Sequence, residues 1–194
     1  LDIAPWRLHA FYATESSGSG FDSNGRLKIM YEPHVVSRNT GRRLDAMNFP
    51  WVWRGKEIQV KLSYRRWVPL HKVSKHVWHP YREGDTGRWE MLATTYELEE
   101  NAIMGASYGG FQILGENAVS LGYRDPLDMI ENLYQGEPAH LEAAIRFLRR
   151  KNVLGALRQG NFQAVERAWN GKYANGRFAA KFEANATNLK RAYA

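Results

Sequence analysis

The chain has 194 residues, 44% of them hydrophobic, with seven tryptophans and no cysteine. This length and composition are sufficient for a well-buried core and exclude a wholly disordered chain, and the lack of cysteine excludes disulfides, thiolate metal sites and cysteine nucleophiles. The formal net charge is +7 at pH 7, and residues 139–194 carry 11 basic against 3 acidic residues, which predicts an anionic partner such as nucleic acid, a membrane surface or a bacterial cell wall.

The first predicted element is a helix that ends in an acidic residue. Pro5 suits the first turn of a helix, and apolar residues recur after it at helical spacing. Glu15 falls in the last turn, and Gly18 follows as a residue that readily closes a helix. We therefore expect a carboxylate at the negative end of the helix dipole, with Phe11 and Tyr12 one turn earlier on the same side.

Both features of this position raise the pKa of a carboxyl group, because the helix dipole and apolar neighbours disfavour the charged form. A carboxylic acid that stays protonated near neutral pH can donate its proton to a glycosidic oxygen. On the residues alone, the alternative interpretation of Glu15 is a solvated glutamate at a frayed helix end.

The next two segments are predicted to contain β structure. Alternating apolar residues in RLKIMYE, residues 26–32, indicate a short strand, and Pro33 makes helical geometry unfavourable at Glu32. Residues 48–80 are rich in Trp, Val and Arg and are punctuated by Gly and Pro, which predicts a hairpin-like or irregular segment.

Segment 48–80 allows several functional interpretations. His71, His76 and His79 could suggest a metal, but no carboxylate or cysteine accompanies them at ligand spacing, so we expect loop histidines and no metal. The basic and aromatic residues of the segment could instead bind nucleic acid. A β-rich subdomain or insertion that covers an active site or contacts an anionic wall polymer fits the same residues.

After REGDTGR, residues 82–88, the helical period returns in Trp89, Leu92 and Tyr96, and most of the remaining chain is predicted to be helical. Helical periodicity, interrupted by Gly, Asn and Pro, is seen in the segments GGFQILGENAVSLG, DPLDMIENLYQG, EPAHLEAAIRFLRRKN, VLGALRQG and NFQAVERAWNG. We therefore expect a mainly α fold, organised as a single domain over residues 1–194, with a small β-rich, Trp-rich excursion.

Five stretches of the chain carry a family resemblance: ATESSGSGF, GRLKIMYEPHVVSR, ASYGGFQILGENAVSLGY, HLEAAIRFLRRKNVLGALRQGNF and ERAWNGKYANGRFAAKFEANATNLKRAYA. In this order they resemble the N-acetylmuramidase domain of phage and bacterial endolysins, a member of the lysozyme-like superfamily. The resemblance implies an α+β lysozyme-like fold with a helical bundle around a glycan cleft. It also implies that Glu15, in a Glu-Ser-x-Gly element, is the catalytic acid.

A second carboxylate follows from the same resemblance. The stretch YEPH, residues 31–34, is similar to a Phe-Glu-Arg-His strand of the family, with Pro33 in place of the arginine. This implies that Glu32 assists a water molecule or stabilises the charge of the transition state. A structural glutamate that bonds a helix end is the alternative for Glu32.

Four further residues are implied as sugar contacts. SYGGFQI resembles a cleft-lining Ser-Trp-Gly-x-Phe-Gln-Ile element, which implies substrate binding by Tyr108 and Gln112, with packing at a helix start as the alternative. AWNGKYANGRF resembles a Tyr-Asn-Gly-x-x-Tyr element that closes the cleft, which implies substrate binding by Asn170 and Tyr173.

The resemblance implies a cofactor-free glycoside hydrolase that cleaves the β-1,4 bond between N-acetylmuramic acid and N-acetylglucosamine and so lyses bacterial cell walls. Its partner would be the glycan strands of peptidoglycan, with no nucleic acid and no membrane insertion, since no apolar run approaches the roughly 18 residues of a membrane span. We expect a monomer that acts on the wall, in the periplasm or outside the cell, and that is made in the host cytoplasm and released at lysis. A lytic transglycosylase, a non-catalytic wall-binding module and a nucleic-acid binder are the alternatives.

Overall fold

The fold is described by a computed structural model, which covers residues 2–16, 19–41, 51–54, 57–63, 66–69, 84–171 and 174–194. The chain forms two compact units. The first comprises Leu1–Lys28, Tyr108–Ile113 and Asn117–Ala194, and the second comprises Ile29–Ser107 and Leu114–Glu116.

Helices dominate the described residues. In chain order they are α1 (Pro5–Glu15), α2 (Pro33–Asn39), α3 (Asp85–Leu98), α4 (Pro126–Leu133), α5 (Glu137–Arg150), α6 (Leu154–Gln159), α7 (Phe162–Asn170) and α8 (Arg177–Ala192). The strands are β1 (Ile29–Tyr31), β2 (Trp51–Arg54), β3 (Glu57–Ser63), β4 (Arg66–Pro69), β5 (Ala106–Tyr108) and β6 (Ile113–Leu114). Short 3-10 turns lie at Glu100–Gly105, Gly115–Asn117 and Val119–Leu121. The prediction of a mainly α fold is confirmed.

The first unit is built on the packing of α1 against α8. Phe11 of α1 is fully buried, and its ring lies 5.8 Å from that of Phe182 in α8 and 5.2 Å from that of Phe111. The predicted start of α1 at Pro5 is confirmed. Proline suits this position because it has no backbone N–H to leave unpaired in the first turn. Burial of this aromatic face fixes the helix whose last residue is Glu15.

In the second unit, β2, β3 and β4 form an antiparallel sheet in that order. Trp51 pairs with Val60 and Gln59 with Pro69, and the register shifts between Lys61 and Ser63. The predicted β structure of segment 48–80 is thus confirmed for its described strands, whereas its status as a subdomain stays a prediction. Strands β1, β5 and β6 form the other sheet, in the order β1-β5-β6.

Two segments differ from the prediction. The GGFQILGENAVSLG stretch is not an α-helix: it contains β6 and two 3-10 turns, because Gly109 and Gln112 adopt positive φ angles of 73° and 49° that break helical geometry. Pro33 does end the strand, with Glu32 at φ −109° and ψ 88°, but it also begins α2, a helix that the sequence patterns did not predict.

Among the described residues, no helix has the length and the apolar character required to cross a membrane.

Gly105 permits a close approach within the second unit, and replacing it with alanine tests this packing. A Cβ atom there would lie 2.5 Å from the backbone nitrogen of Val36 and 2.7 Å from its Cα, so Gly105→Ala should destabilise the fold by roughly 1–3 kcal/mol. Thermal unfolding followed by circular dichroism measures the change. Gly155→Ala is the matched control: nothing lies within 4 Å of its Cβ position in α6, so it should leave stability unchanged or raise it by up to about 1 kcal/mol. Equal unfolding temperatures for the two variants would contradict the packing argument.

Candidate active site

Glu15 is the last residue of α1, as predicted, and its side chain is half-buried. The indole Nε1–H of Trp169, in α7, donates a hydrogen bond of 2.5 Å to Glu15 Oε1. The two residues are 154 positions apart in the chain, so the packing of the helices creates this pair. A neutral donor thus lies against one of the two carboxyl oxygens of Glu15.

The pKa of Glu15 is raised above its ordinary value. Burial is the main cause, and it outweighs the hydrogen bond from Trp169 and the positive charge of Lys181, both of which favour the carboxylate. Lys181 is held near the end of α1 because its Nζ donates a 2.6 Å hydrogen bond to the carbonyl oxygen of Thr14. The predicted direction of the shift therefore agrees with the structure.

Aromatic rings fix the orientation of Trp169. Its indole meets the ring of Phe11 edge to face at 5.0 Å and the ring of Phe147 at 5.0 Å, and Phe111 lies 6.1 Å away. Such edge-to-face contacts restrict the ring and hence the direction of its N–H. Helical spacing predicted Phe11 beside Glu15, whereas nothing in the local sequence indicated Trp169 as the hydrogen-bond donor.

The predicted sugar-binding stretch SYGGFQI forms a tight turn. Gln112 is exposed, and its Nε2 donates a 2.7 Å hydrogen bond to the carbonyl oxygen of Gly109. Phe111 and Ile113 are buried. Tyr108 is fully buried as well, so its side chain has no exposed surface on which a glycan could bind. Of the two sugar contacts predicted in this stretch, Gln112 is accessible, whereas the side chain of Tyr108 is fully buried.

A buried carboxylate organises the loop that follows α7. Glu166 is 2% exposed, and its Oε1 accepts hydrogen bonds from the backbone nitrogens of Asn175 at 3.0 Å and Gly176 at 2.9 Å. Its Oε2 accepts a 3.2 Å hydrogen bond from the nitrogen of Ala179 in the first turn of α8. Although burial by itself raises the pKa of Glu166, these backbone donors hold it below its ordinary value. Glu166 thus ties α7 to the start of α8.

Of the two predicted sugar contacts near this loop, Asn170 is the half-buried last residue of α7. Tyr173 lies outside the described residues, as does Gly18 of the Glu-Ser-x-Gly element.

Glu32 belongs to the second unit and occupies the N-cap position of α2. Its side chain is 24% exposed, and Oε2 lies 3.7 Å from Nδ1 of the exposed His34. Its backbone nitrogen donates a 2.9 Å hydrogen bond to the carbonyl oxygen of Gly105. Pro33 stands where the family pattern has arginine because it is the first residue of a helix. A catalytic role for Glu32 stays a prediction.

Within the described part of the chain, no group of three or more His, Asp or Glu side chains is arranged to hold a metal ion. The histidines at positions 71, 76 and 79 lie outside that part.

Comparison with known proteins identifies the family. The model of the N-acetylmuramidase family matches residues 4–190. The chain belongs to this family.

As a member of the N-acetylmuramidase family, the chain is a glycoside hydrolase of the lysozyme type. It is similar to the crystal structure of the Burkholderia AP3 phage endolysin, with 27% sequence identity and a TM-score of 0.75 over 99% of this chain. The match covers 66% of the endolysin chain, so this muramidase chain spans less than two thirds of that protein's length. No curated protein matches the chain. The resemblance and the lysozyme-like fold expected from the sequence are confirmed.

The first prediction for this muramidase site concerns the Trp169 hydrogen bond. Trp169→Phe keeps an aromatic ring against Phe11 and Phe147 but removes the N–H that favours the carboxylate, so the pKa of Glu15 should rise further. Carboxyl ¹³C NMR of labelled glutamates, titrated with pH, measures the shift. Phe162→Leu, which changes an aromatic contact of α7 with Phe182, is the control and should leave the Glu15 titration close to that of wild type. An unchanged titration in Trp169→Phe would show that the Trp169 hydrogen bond does not contribute to the pKa.

The second prediction concerns Glu166. Because its folded-state pKa is lowered, Glu166 contributes stability that is present above its ordinary pKa and is lost as the pH falls through the folded value. Above about pH 5, Glu166→Gln should therefore lower the melting temperature by several degrees. In more acidic buffer the difference from wild type should shrink. Melting curves across this pH range provide the measurement. Glu183→Gln, an exposed change on α8, is the control, and a gap between Glu166→Gln and wild type that stays constant with pH would contradict the assignment.

Proposed function

We propose that the chain hydrolyses the β-1,4 bond between N-acetylmuramic acid and N-acetylglucosamine in peptidoglycan, with Glu15 as the general acid, and that this cleavage lyses bacterial cell walls. The observation that carries the proposal is the half-buried carboxyl of Glu15, whose pKa is raised by burial and which pairs with a neutral donor. Such a carboxyl is protonated over a wider pH range than a solvated glutamate, as a general acid must be. Membership of the N-acetylmuramidase family supports the same choice of bond.

The Trp169 hydrogen bond distinguishes the two oxygens of Glu15. In a neutral carboxyl group the carbonyl oxygen accepts hydrogen bonds and the hydroxyl oxygen donates one. Since Oε1 accepts from Trp169, the acidic proton is carried by Oε2. Oε2 is therefore the oxygen that faces the glycosidic bond in the proposed complex.

In the proposed reaction, the proton of Glu15 passes to the glycosidic oxygen as the bond from that oxygen to C1 of N-acetylmuramic acid breaks. Water supplies the oxygen that bonds to C1, and one of its protons restores a carboxyl group. We assign to Glu32 the role of orienting this water or of stabilising the positive charge that develops on the sugar ring. Neither step requires a metal ion or an organic cofactor.

The substrate contacts that we propose are the accessible Gln112, together with Asn170 and Tyr173. The Gln112 amide can donate to and accept from the N-acetyl and hydroxyl groups of a sugar. Tyr108 is fully buried, so we do not propose it as a contact to the glycan. Gln112 and Asn170 belong to the same unit as Glu15, which supports this choice of contacts.

We further propose that the chain works as a monomer on the bacterial cell wall, in the periplasm or outside the cell. The basic C-terminal residues 139–194 favour adsorption to an anionic wall polymer. A phage endolysin is among the similar solved structures, which supports production in a host cell and release at lysis.

Substitution of the acid is the direct test of this proposal. Glu15→Gln keeps the shape of the side chain but removes the proton donor, so kcat on purified peptidoglycan should fall by roughly 10²- to 10⁴-fold. Release of reducing ends, together with loss of turbidity, measures cleavage. Glu131→Gln, an exposed change on α4, is the matched control and should retain the wild-type rate.

Two further measurements complete this test. Because ionisation of a half-buried Glu15 is less favourable in the folded state, Glu15→Gln should melt no lower than wild type at neutral pH, so lost activity reports lost chemistry. Mass spectrometry of the released fragments identifies the reaction: hydrolysis adds one water, whereas a transglycosylase closes the sugar on itself and adds none. If Glu15→Gln cleaves as fast as wild type, the acid lies elsewhere. If the wild type binds walls without cleaving them, the chain is a binding module.

A further inference from the structure

A second carboxylate of the first unit, Glu137, contacts the chain on both sides of Glu15. Glu137 is the first residue of α5, and Tyr12 of α1 donates a 2.5 Å hydrogen bond from its hydroxyl group to Glu137 Oε2. Beyond Glu15, Oε1 of the same carboxylate accepts hydrogen bonds from the Ser19 hydroxyl at 2.9 Å and from the Gly20 backbone nitrogen at 2.8 Å. One side chain therefore binds the helix three residues before Glu15 and the chain four and five residues after it.

The three donors suit an ionised carboxylate. Although burial by itself raises the pKa of Glu137, the hydrogen bonds from Tyr12, Gly20 and Ser19 hold it below its ordinary value, so the acceptor stays charged at neutral pH. Burial and the Glu137 carboxylate raise the pKa of Tyr12 to about 12, so its hydroxyl keeps the proton that it donates. Hydrogen bonds to a charged acceptor are about twice as strong as neutral ones.

His140, one turn further along α5, extends this contact to the SYGGFQI turn. Its Nδ1 accepts a 3.1 Å hydrogen bond from the Gly110 nitrogen, and its Nε2 lies 2.9 Å from the carbonyl oxygen of Leu133. A ring nitrogen that accepts from a backbone N–H carries no proton, so the buried His140 is the neutral tautomer that donates from Nε2. The start of α5 thus holds both the chain after Glu15 and the turn that carries Gln112.

The chain around Gly20 and Phe21 is closely packed against α5. A Cβ atom on Gly20 would lie 1.9 Å from the His140 ring and 2.8 Å from the Gly110 nitrogen. The ring of Phe21 lies 5.0 Å from that of His140, and the ring of Tyr12 meets that of Phe111 at 5.4 Å. The hydrogen bonds to Glu137 are therefore formed within a closely packed region.

We infer that Glu137 is a positioning residue for Glu15: it fixes the end of α1 through Tyr12 and the following chain through Ser19 and Gly20, and so holds the acid in the orientation that the proposed reaction needs. This inference rests on the proposed function. It adds a residue that acts through its neighbours and does not touch the substrate. A misplacement of a catalytic group by about 1 Å lowers a rate by up to about 100-fold, so loss of this contact should be visible in kcat.

The kinetic test uses Glu137→Ala and Glu137→Gln on soluble peptidoglycan fragments, well below the melting temperature of each variant. Glu137→Ala should lower kcat about 10- to 100-fold and leave KM within about threefold of wild type. The kcat of Glu137→Gln should lie between those of wild type and Glu137→Ala, because its amide oxygen can still accept hydrogen bonds from Ser19 and Gly20, although more weakly than a carboxylate. Glu142→Ala, an exposed change on the same helix, should keep the wild-type kcat.

A double-mutant cycle separates positioning from general destabilisation. Tyr12→Phe should lower kcat in the wild-type background but change it little in the Glu137→Ala background, because the contact is already lost. If the two losses simply multiply, or if Glu137→Ala retains the wild-type kcat, the inference is wrong.

NMR of Glu137→Gln gives a readout that does not depend on activity or on the folding of the alanine variant. The substitution replaces a charged acceptor with a neutral, weaker one, so exchange of the Gly20 amide hydrogen should speed up and the pH titration of the Glu15 carboxyl carbon should change. The Val36 amide of the second unit, which bonds the Glu32 carbonyl oxygen at 3.0 Å, is the control and should keep its slow exchange. If wild type releases no reducing ends, the proposed function fails, but these spectra still decide the inference: altered signals support it, and unchanged signals overturn it.

Discussion

The burial of Glu15 at the end of α1 is the constraint on which the first unit depends. Removing a carboxylate from water is unfavourable unless donors replace the water, and a position at the helix C-terminus adds the negative end of the dipole. The aromatic cluster around Phe11 fixes α1 and so buries the carboxyl, and the indole donor of Trp169 and the charge of Lys181 offset part of the cost. The compensation is partial, so the carboxyl is held in place while its pKa remains raised.

Two backbone segments of the first unit, the chain around Gly20 and the SYGGFQI turn, approach each other closely. Gly20 stands where the His140 ring leaves no space for a Cβ atom, and Gly109 adopts a φ angle of 73° that other residues rarely take. Glycine is therefore required by packing at Gly20 and by the backbone conformation at Gly109. A glycan could approach such a backbone closely, so one feature serves both the fold and the proposed binding surface.

The parts of this molecule that the sequence predicted are those determined by nearby residues. Pro5 and the helical spacing after it predicted α1, because both signals lie within the helix itself. The position of Glu15 in the last turn, with Phe11 one turn earlier, predicted the direction of its pKa shift. Local patterns were less reliable where special backbone angles intervene: Gln112 adopts a positive φ angle, and the apolar spacing around it resembled a helix that does not form.

Contacts between distant residues could not be predicted in the same way. Trp169 is 154 positions from Glu15, and Glu137 is 125 from Tyr12, so neither pair produces a local pattern. Family resemblance supplied the proposed acid, and the order of the motifs supplied the fold, but the hydrogen bonds of Trp169 and Glu137 emerge only when the helices are packed. Burial was equally invisible for Tyr108, whose place in a cleft-lining motif suggested an exposed ring.

Three carboxylates of the first unit show how the number of donors separates structural from chemical roles. Glu137 accepts from Tyr12, Ser19 and Gly20, and Glu166 accepts from several backbone nitrogens, so both have lowered pKa values in spite of burial. From the described residues, Glu15 receives one hydrogen bond and the charge of Lys181, and burial outweighs both. Since charge on a carboxylate is stabilised by each donor, the two well-supplied groups stay ionised and hold chain segments together. The poorly supplied group is the one suited to carry a proton, and a further strong donor at Glu15 would make it a third structural carboxylate.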